Sequence, residues 1–160
     1  MKRVAVFVDG SNLYRALKER RLLPVDLTSL AWRLAGGRPA SMRFYTAPFP
    51  GHGGFMRSLE ARGWLVVTGH TRNTGNGHRE KGVDVALAVD LVLAAAGGLY
   101  DRAVLVSGDG DLARAVEAAR ELGLPVTVAQ FQEYISSYLA RAAAEVVLLD
   151  GVDWKALAYA

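Results

Sequence analysis

Apolar and polar positions fall in blocks along this chain, and the period within each block changes as the chain advances. Val4 to Val8 is a short unbroken apolar run closed by Asp9-Gly10; Ala103 to Val106 is another, closed by Ser107-Gly108-Asp109-Gly110. Runs this short, bounded by turn residues, predict buried strands. The blocks between them carry a helical period. Ser11 or Asn12 can cap a helix through residues 13–21, and Asp26 can cap a second that places Leu27, Leu30, Ala31 and Leu34 on one face before Gly36 closes it. A second strand follows at 42–47, a short helix at 55–63 ending on Gly63, and a third strand at 64–69. Residues 70–82 are polar and glycine-rich, which predicts a loop.

Residues 83–98 are apolar around nearly the whole circumference, with Asp84 and Asp90 the only charges, which predicts a helix buried between the sheet and other elements. A fourth strand at 103–108 leads into a helix over 111–123 with an apolar stripe of Leu112, Ala115, Val116 and Ala119, and a fifth strand spans 125–130. A helix near 134–143, a short strand at 145–150 and a terminal helical turn complete the pattern. Strands alternating with helices predict one α/β domain over residues 1–160. Its expected form is a three-layer sandwich whose mostly parallel sheet of five or six strands is flanked by helices. No linker or internal repeat divides it.

That architecture gives four aspartates a meaning. In an open α/β sheet the carboxyl ends of the strands form the crevice, and a polar residue just beyond an apolar strand faces it. Asp9 and Asp109 hold such positions, Asp84 begins the long apolar helix, and Asp111 follows Asp109 by two residues. Like charges so close would raise one another's pKa, and a bound dication removes that penalty. Asp90 lies six residues past Asp84, about 120° around the helix, so a structural partner such as a nearby Arg suits it better than metal.

Composition narrows the chemistry. The absence of cysteine excludes disulfides, thiolate zinc sites and cysteine nucleophiles. The three histidines lack zinc spacing, and carboxylates select a hard ion, Mg2+ or Mn2+. The net charge is +3 and the pI near 9.4, with Arg in excess of Lys, which suits a polyanionic partner only in combination with the acidic cluster. No apolar stretch is fit to cross a bilayer, and the Met-Lys-Arg start runs into a strand rather than a signal peptide, so a cytosolic location without membrane contact is expected.

The runs "FVDGSNL", "KGVDVALAVDL" and "VLVSGDGDLARAVEAARELGLPVTV" resemble the three signature segments of the NYN domain family, in the LabA-like branch of the PIN-like nuclease superfamily, and the likeness spans almost the whole chain. The resemblance implies a PIN-like fold and a ribonuclease that hydrolyses phosphodiester bonds, in single-stranded or structured RNA, with Mg2+ or Mn2+. It places metal-binding and catalytic carboxylates at Asp9, Asp84, Asp109 and Asp111, with Asn12 as the polar residue after the first strand; Lys81 and Ser107 also fit the pattern. From the residues themselves, Asn12 can donate to a phosphate oxygen or orient water. Ser107 can fix a neighbouring carboxylate, and Arg72, Arg79 and Lys81 can hold the substrate backbone.

Simpler readings stand beside these. Asp9-Gly10 and Asp109-Gly110 serve as turns in many proteins, Asp109 or Asp111 can cap a helix, and the basic 70–82 segment can be a solvated surface. Tyr45, Phe49 and Phe55 can stack on bases, but core is their more usual place. Phosphatases of the haloacid dehalogenase type want an Asp where Ser11 stands, Toprim domains a Glu where Asp9 stands, and a dinucleotide site a glycine-rich turn that "DGSNLY" does not supply. The rival function is a non-catalytic RNA-binding or regulatory PIN-like module. The apolar helices and tyrosine-bearing C-terminal segment leave a homodimer open.

Overall fold

The computed structural model describes residues 1–47, 53–74 and 77–159, and for residues 70–81 the backbone alone. The chain runs β1 (Val4–Asp9), α1 (Gly10–Glu19), α2 (Leu27–Ala35), β2 (Ser41–Thr46), α3 (Gly53–Ala61), β3 (Trp64–Thr68), β4 (His70–Thr74), β5 (Gly77–Lys81), α4 (Val83–Gly97), β6 (Arg102–Val106), α5 (Ala113–Glu121), β7 (Val126–Gln130), α6 (Ser137–Ala142) and β8 (Glu145–Leu148). Six strands form one all-parallel sheet in the order β3-β2-β1-β6-β7-β8. The α/β sandwich expected from the alternating pattern is the fold observed.

Alternation along β1 divides the core. Val4, Val6 and Val8 pack with Leu13 and Leu17 of α1, Leu30 of α2 and Leu59 of α3, whereas Ala5 and Phe7 pack with Leu87 and Leu91 of α4, Val116 of α5 and Leu139 of α6. Three helices therefore cover each face. The strand order also contains a reversal: from β1 the chain moves outward through β2 and β3, then returns across the sheet to place β6 on the other side of β1. Such a switch point opens a crevice beyond the carboxyl ends of the two strands between which the direction changes. Here those strands are β1 and β6.

Several local expectations are met by specific bonds. Asp26 caps α2 by accepting from the Ser29 amide at 3.2 Å, and Gly36 ends it in the left-handed region at φ 76°. Others change. The cap of α1 is Asp9 rather than Ser11 or Asn12, because the carboxylate at the strand end already reaches the Asn12 amide. Residues 70–82 hold an antiparallel pair, β4 with β5, instead of a loop. The pair stands apart from the main sheet and has no core-facing apolar alternation to announce it.

Helix α4 departs most from expectation. Val83, Leu87, Leu91 and Ala95 are buried against the sheet, but Val85, Val89 and Leu93 are exposed to 66, 49 and 62 %. In a three-layer sandwich a helix has the sheet beneath it and helices beside it, so its outer side meets water whatever its composition.

Candidate functional site

Register brings the first residues together. Val8 of β1 pairs with Val106 of β6, so Asp9 and Ser107 come next at the same height on the carboxyl edge. The fully buried Ser107 hydroxyl donates to Asp9 Oδ2 at 2.9 Å and accepts from the Asp109 amide at 3.1 Å. One side chain thus fixes the rotamer of one carboxylate and the backbone that carries another. Asp9 Oδ1 also accepts from the Asn12 amide at 3.3 Å, which ties the same carboxylate to the first turn of α1.

Asp84 arrives from the other side, on the first turn of α4 just after Gly82, which takes a left-handed φ of 84°. Carboxylate oxygens of Asp9, Asp84 and Asp109 all lie within 4.8 Å of one another. Asp9 is buried, Asp109 half-buried and Asp84 exposed, so the group runs from the floor of the crevice to its rim. The crevice itself is an open cavity of about 640 Å3 whose walls include Asn12, Arg15, Val85, Gly108 and Gly110.

Burial sets the electrostatics. The Asp9 carboxyl is pushed up to about 6, chiefly by loss of water, with the charges of Asp84 and Asp109 adding to the rise; the Ser107 and Asn12 hydrogen bonds hold it back. A dication among these oxygens would favour the ionised form of all three. The donor set fits such an ion: three carboxylates converge, with no sulfur, in a wide polar opening that leaves room for water, as Mg2+ and Mn2+ require.

Residues 3–150 match the NYN domain. The chain belongs to the NYN domain family. It is 26 % identical over 170 aligned residues to the low amplitude and bright protein LabA of Synechococcus elongatus, a match that covers 94 % of this chain and 85 % of that one. Its fold superposes with a TM-score of 0.78 on the crystal structure of a protein of unknown function from Vibrio parahaemolyticus, at 26 % identity and with 94 % of each chain covered.

Within this NYN domain the remaining expected residues are distributed unevenly. Asn12 enters the crevice, but its carbonyl is already engaged: Oδ1 accepts from the Gly108 amide at 3.0 Å and from Gln130 Nε2 at 2.6 Å. Two donors on one atom leave the Asn12 NH2 as the end with bonding capacity for a ligand. Asp111 is exposed and lies outside the three-carboxylate group; its amide donates to Asp109 Oδ1 at 2.9 Å, so Asp109 also caps the short 3-10 turn Gly110–Leu112. The side chains of Arg72, Arg79 and Lys81 lie outside the described residues, as does Phe49.

Asp90 is accounted for elsewhere. It accepts from the Tyr45 hydroxyl at 2.9 Å and sits 3.8 Å from Arg43, while burial and then this bond push the Tyr45 phenol well above its usual range. Tyr45 is fully buried and belongs to the core, whereas Phe55 is 45 % exposed.

Gln130 is the residue that the sequence did not disclose. Fully buried at the end of β7, it holds Asn12 with its amide nitrogen while its Oε1 accepts from the Phe131 amide at 2.9 Å. A lone Gln ending the apolar run "PVTVAQ" was the available signal, since a buried polar side chain must find partners. Glycine is required in the turn after β6. A Cβ on Gly108 would overlap the Tyr134 carbonyl, so the backbone between Ser107 and Asp109 passes where no other residue fits.

Proposed function

We propose that this NYN domain is a metal-dependent ribonuclease that hydrolyses phosphodiester bonds in single-stranded or structured RNA. The observation that carries the reading is the convergence of Asp9, Asp84 and Asp109, from β1, α4 and the turn after β6, at the switch point of the sheet. Family membership supports the same class of chemistry. Asp9, Asp84 and Asp109 would hold Mg2+ or Mn2+, and such an ion, when bound, supplies charge neutralisation and an acidified water.

The protein's own groups have separable tasks. Ser107 keeps Asp9 in one rotamer, and the Gly108–Asn12–Gln130 chain keeps the Asn12 NH2 turned outward, in position to donate to a phosphate oxygen. Arg15, on the wall of the crevice, offers a guanidinium to the phosphate. Asp111 would contribute through water, and Arg72, Arg79 and Lys81, from the basic segment of β4 and β5, would supply positive charge for the RNA backbone.

The test is incubation of the purified protein with labelled single-stranded RNA, with Mn2+ or with chelator, alongside Asp9→Asn. Cleavage that needs metal and is lost in the variant is the expected result. Binding with no cleavage under any metal condition would replace the enzyme by a non-catalytic RNA-binding module.

A further inference from the structure

The acidic crevice does not end at its own walls. Along α1 the residues Ser11, Tyr14, Arg15 and Lys18 are spaced i, i+3, i+4 and i+7, so they share one face, while Leu13, Ala16 and Leu17 turn into the core. Beside that face lies a second cavity of about 400 Å3, closed on its far side by Phe44 of β2 and Phe55 of α3. Ser11 and Arg15 line both cavities, so the two adjoin along this face of α1.

The second cavity differs in character from the first. Among the described residues its lining holds no carboxylate and its cations are Arg15 and Lys18, and its exposed aromatic members Tyr14 and Phe55 are 51 and 45 % exposed. Phe55 packs edge-on against Phe44, with ring centroids 5.8 Å apart. Gly10 keeps the floor low: a Cβ there would lie 2.5 Å from the Phe44 ring and 2.7 Å from the Tyr45 carbonyl oxygen. Single exposed aromatics are ordinary, but two in one groove, with two cations and an acidic centre next to it, suit a particular ligand. Flat apolar faces beside positive charge match unpaired bases on a phosphate backbone. A duplex, whose bases are stacked and paired, presents no free face to them.

We propose that this groove binds the unpaired strand of RNA adjoining the scissile phosphate, with Tyr14 and Phe55 stacking on bases and Arg15 and Lys18 taking backbone phosphates. The assignment rests on the nuclease reading for the phosphate in the crevice, but its residues are distinct from the carboxylates. It gives the protein a preference for single strands that the acidic centre alone would not supply.

The experiment measures fluorescence anisotropy of a short labelled oligouridylate in chelator, so that binding is read without cleavage. Tyr14→Ala and Phe55→Ala should each weaken binding by roughly tenfold to a hundredfold, the range expected for loss of one stacked base. Lys18→Glu should weaken it and lower the salt dependence by about one counterion. Trp32→Ala, which removes a 42 % exposed aromatic on α2, should change nothing, and a blunt RNA duplex should lose no affinity in the Tyr14 and Phe55 variants. The shift of melting temperature on adding Mn2+ should be the same in all of these proteins, which shows the crevice to be intact.

Unchanged affinity in both aromatic variants would overturn the groove assignment, and metal-dependent cleavage by the native protein would then leave the nuclease reading standing. Groove-dependent binding with no cleavage would uphold the groove and sink the nuclease. A native dimer that Tyr14→Ala or Phe55→Ala converts to a monomer, with RNA affinity untouched, would identify the occupant as a second copy of this chain and overturn the proposal.

Discussion

Replacing Asp9 by Asn should stabilise the metal-free protein at neutral pH, a result opposite to the usual outcome of altering a buried, hydrogen-bonded side chain. The carboxyl has a folded-state pKa of about 6 against an ordinary value of 3.8. The folded state therefore keeps a proton that the unfolded state releases, and stability falls as pH rises from about 4 through 6. Above that window the ionised Asp9 costs up to about 3 kcal/mol, from roughly two pK units at 1.36 kcal/mol each. Asn removes the charge yet retains an oxygen for the Asn12 amide, and Asn caps a helix as well as Asp does. Ser107 Oγ can accept from the new NH2 as it already does from the Asp109 amide, at the cost of the bond its own hydroxyl donates to Asp9.

Allowing for relaxation, a net gain of about 2 kcal/mol is expected, which raises the melting temperature by roughly 4–8 °C in a domain of this size. Differential scanning fluorimetry in chelator at pH 7.5 and pH 4.5 reads it, and most of the gap should close at the lower pH. Added Mn2+ should reverse the order: at about a hundred times its Kd it stabilises the native protein by roughly 2.7 kcal/mol and the variant by little. A variant less stable than the native protein at both pH values would show that Asp9 is mainly a cap, and the argument from burial would be wrong.

Other expectations follow from neighbouring contacts. Ser107→Ala should weaken Mn2+ binding by about tenfold to a hundredfold, as loss of a ligand's supporting hydrogen bond does, and cost about 1–3 kcal/mol through the orphaned Asp109 amide; isothermal titration and chemical denaturation measure the two effects. Gly108→Ala should displace the turn from Tyr134 and abolish Mn2+ stabilisation even where circular dichroism shows a folded chain. In α4, Leu91→Ala should cost about 2–5 kcal/mol in urea denaturation and Leu93→Ala less than about 0.5, because the first is fully buried and the second 62 % exposed.

The sheet and the acid triad were legible for the same reason: short apolar runs that end abruptly in Asp-Gly or Ser-Gly-Asp leave little choice of structure, and β–α alternation then fixes which ends meet. Asp26 and Gly36 marked their helix because capping is local. What escaped the sequence depended on distant partners. Gln130 has no role until the fold sets Asn12 beside it. The β4–β5 pair gave no signal because period-two patterning reflects packing, and its strands stand apart from the main sheet. The outer side of α4 was misjudged because apolar composition reports what a helix can bury, not how much of it the architecture covers. Asp111 stood level with Asp109 in the motif, yet two residues along a tight turn were enough to leave it outside the group.

The centre is assembled from pieces far apart in the polypeptide: the end of the first strand, the start of a helix past mid-chain, and the turn after the sixth strand. No excised segment can reproduce it, since each contributes a single carboxylate and none holds the others in place. An ion seated there would act as a clasp across the middle of the sheet, and hydrogen exchange should slow throughout β1, β6 and α4 together when it binds, rather than near any one aspartate.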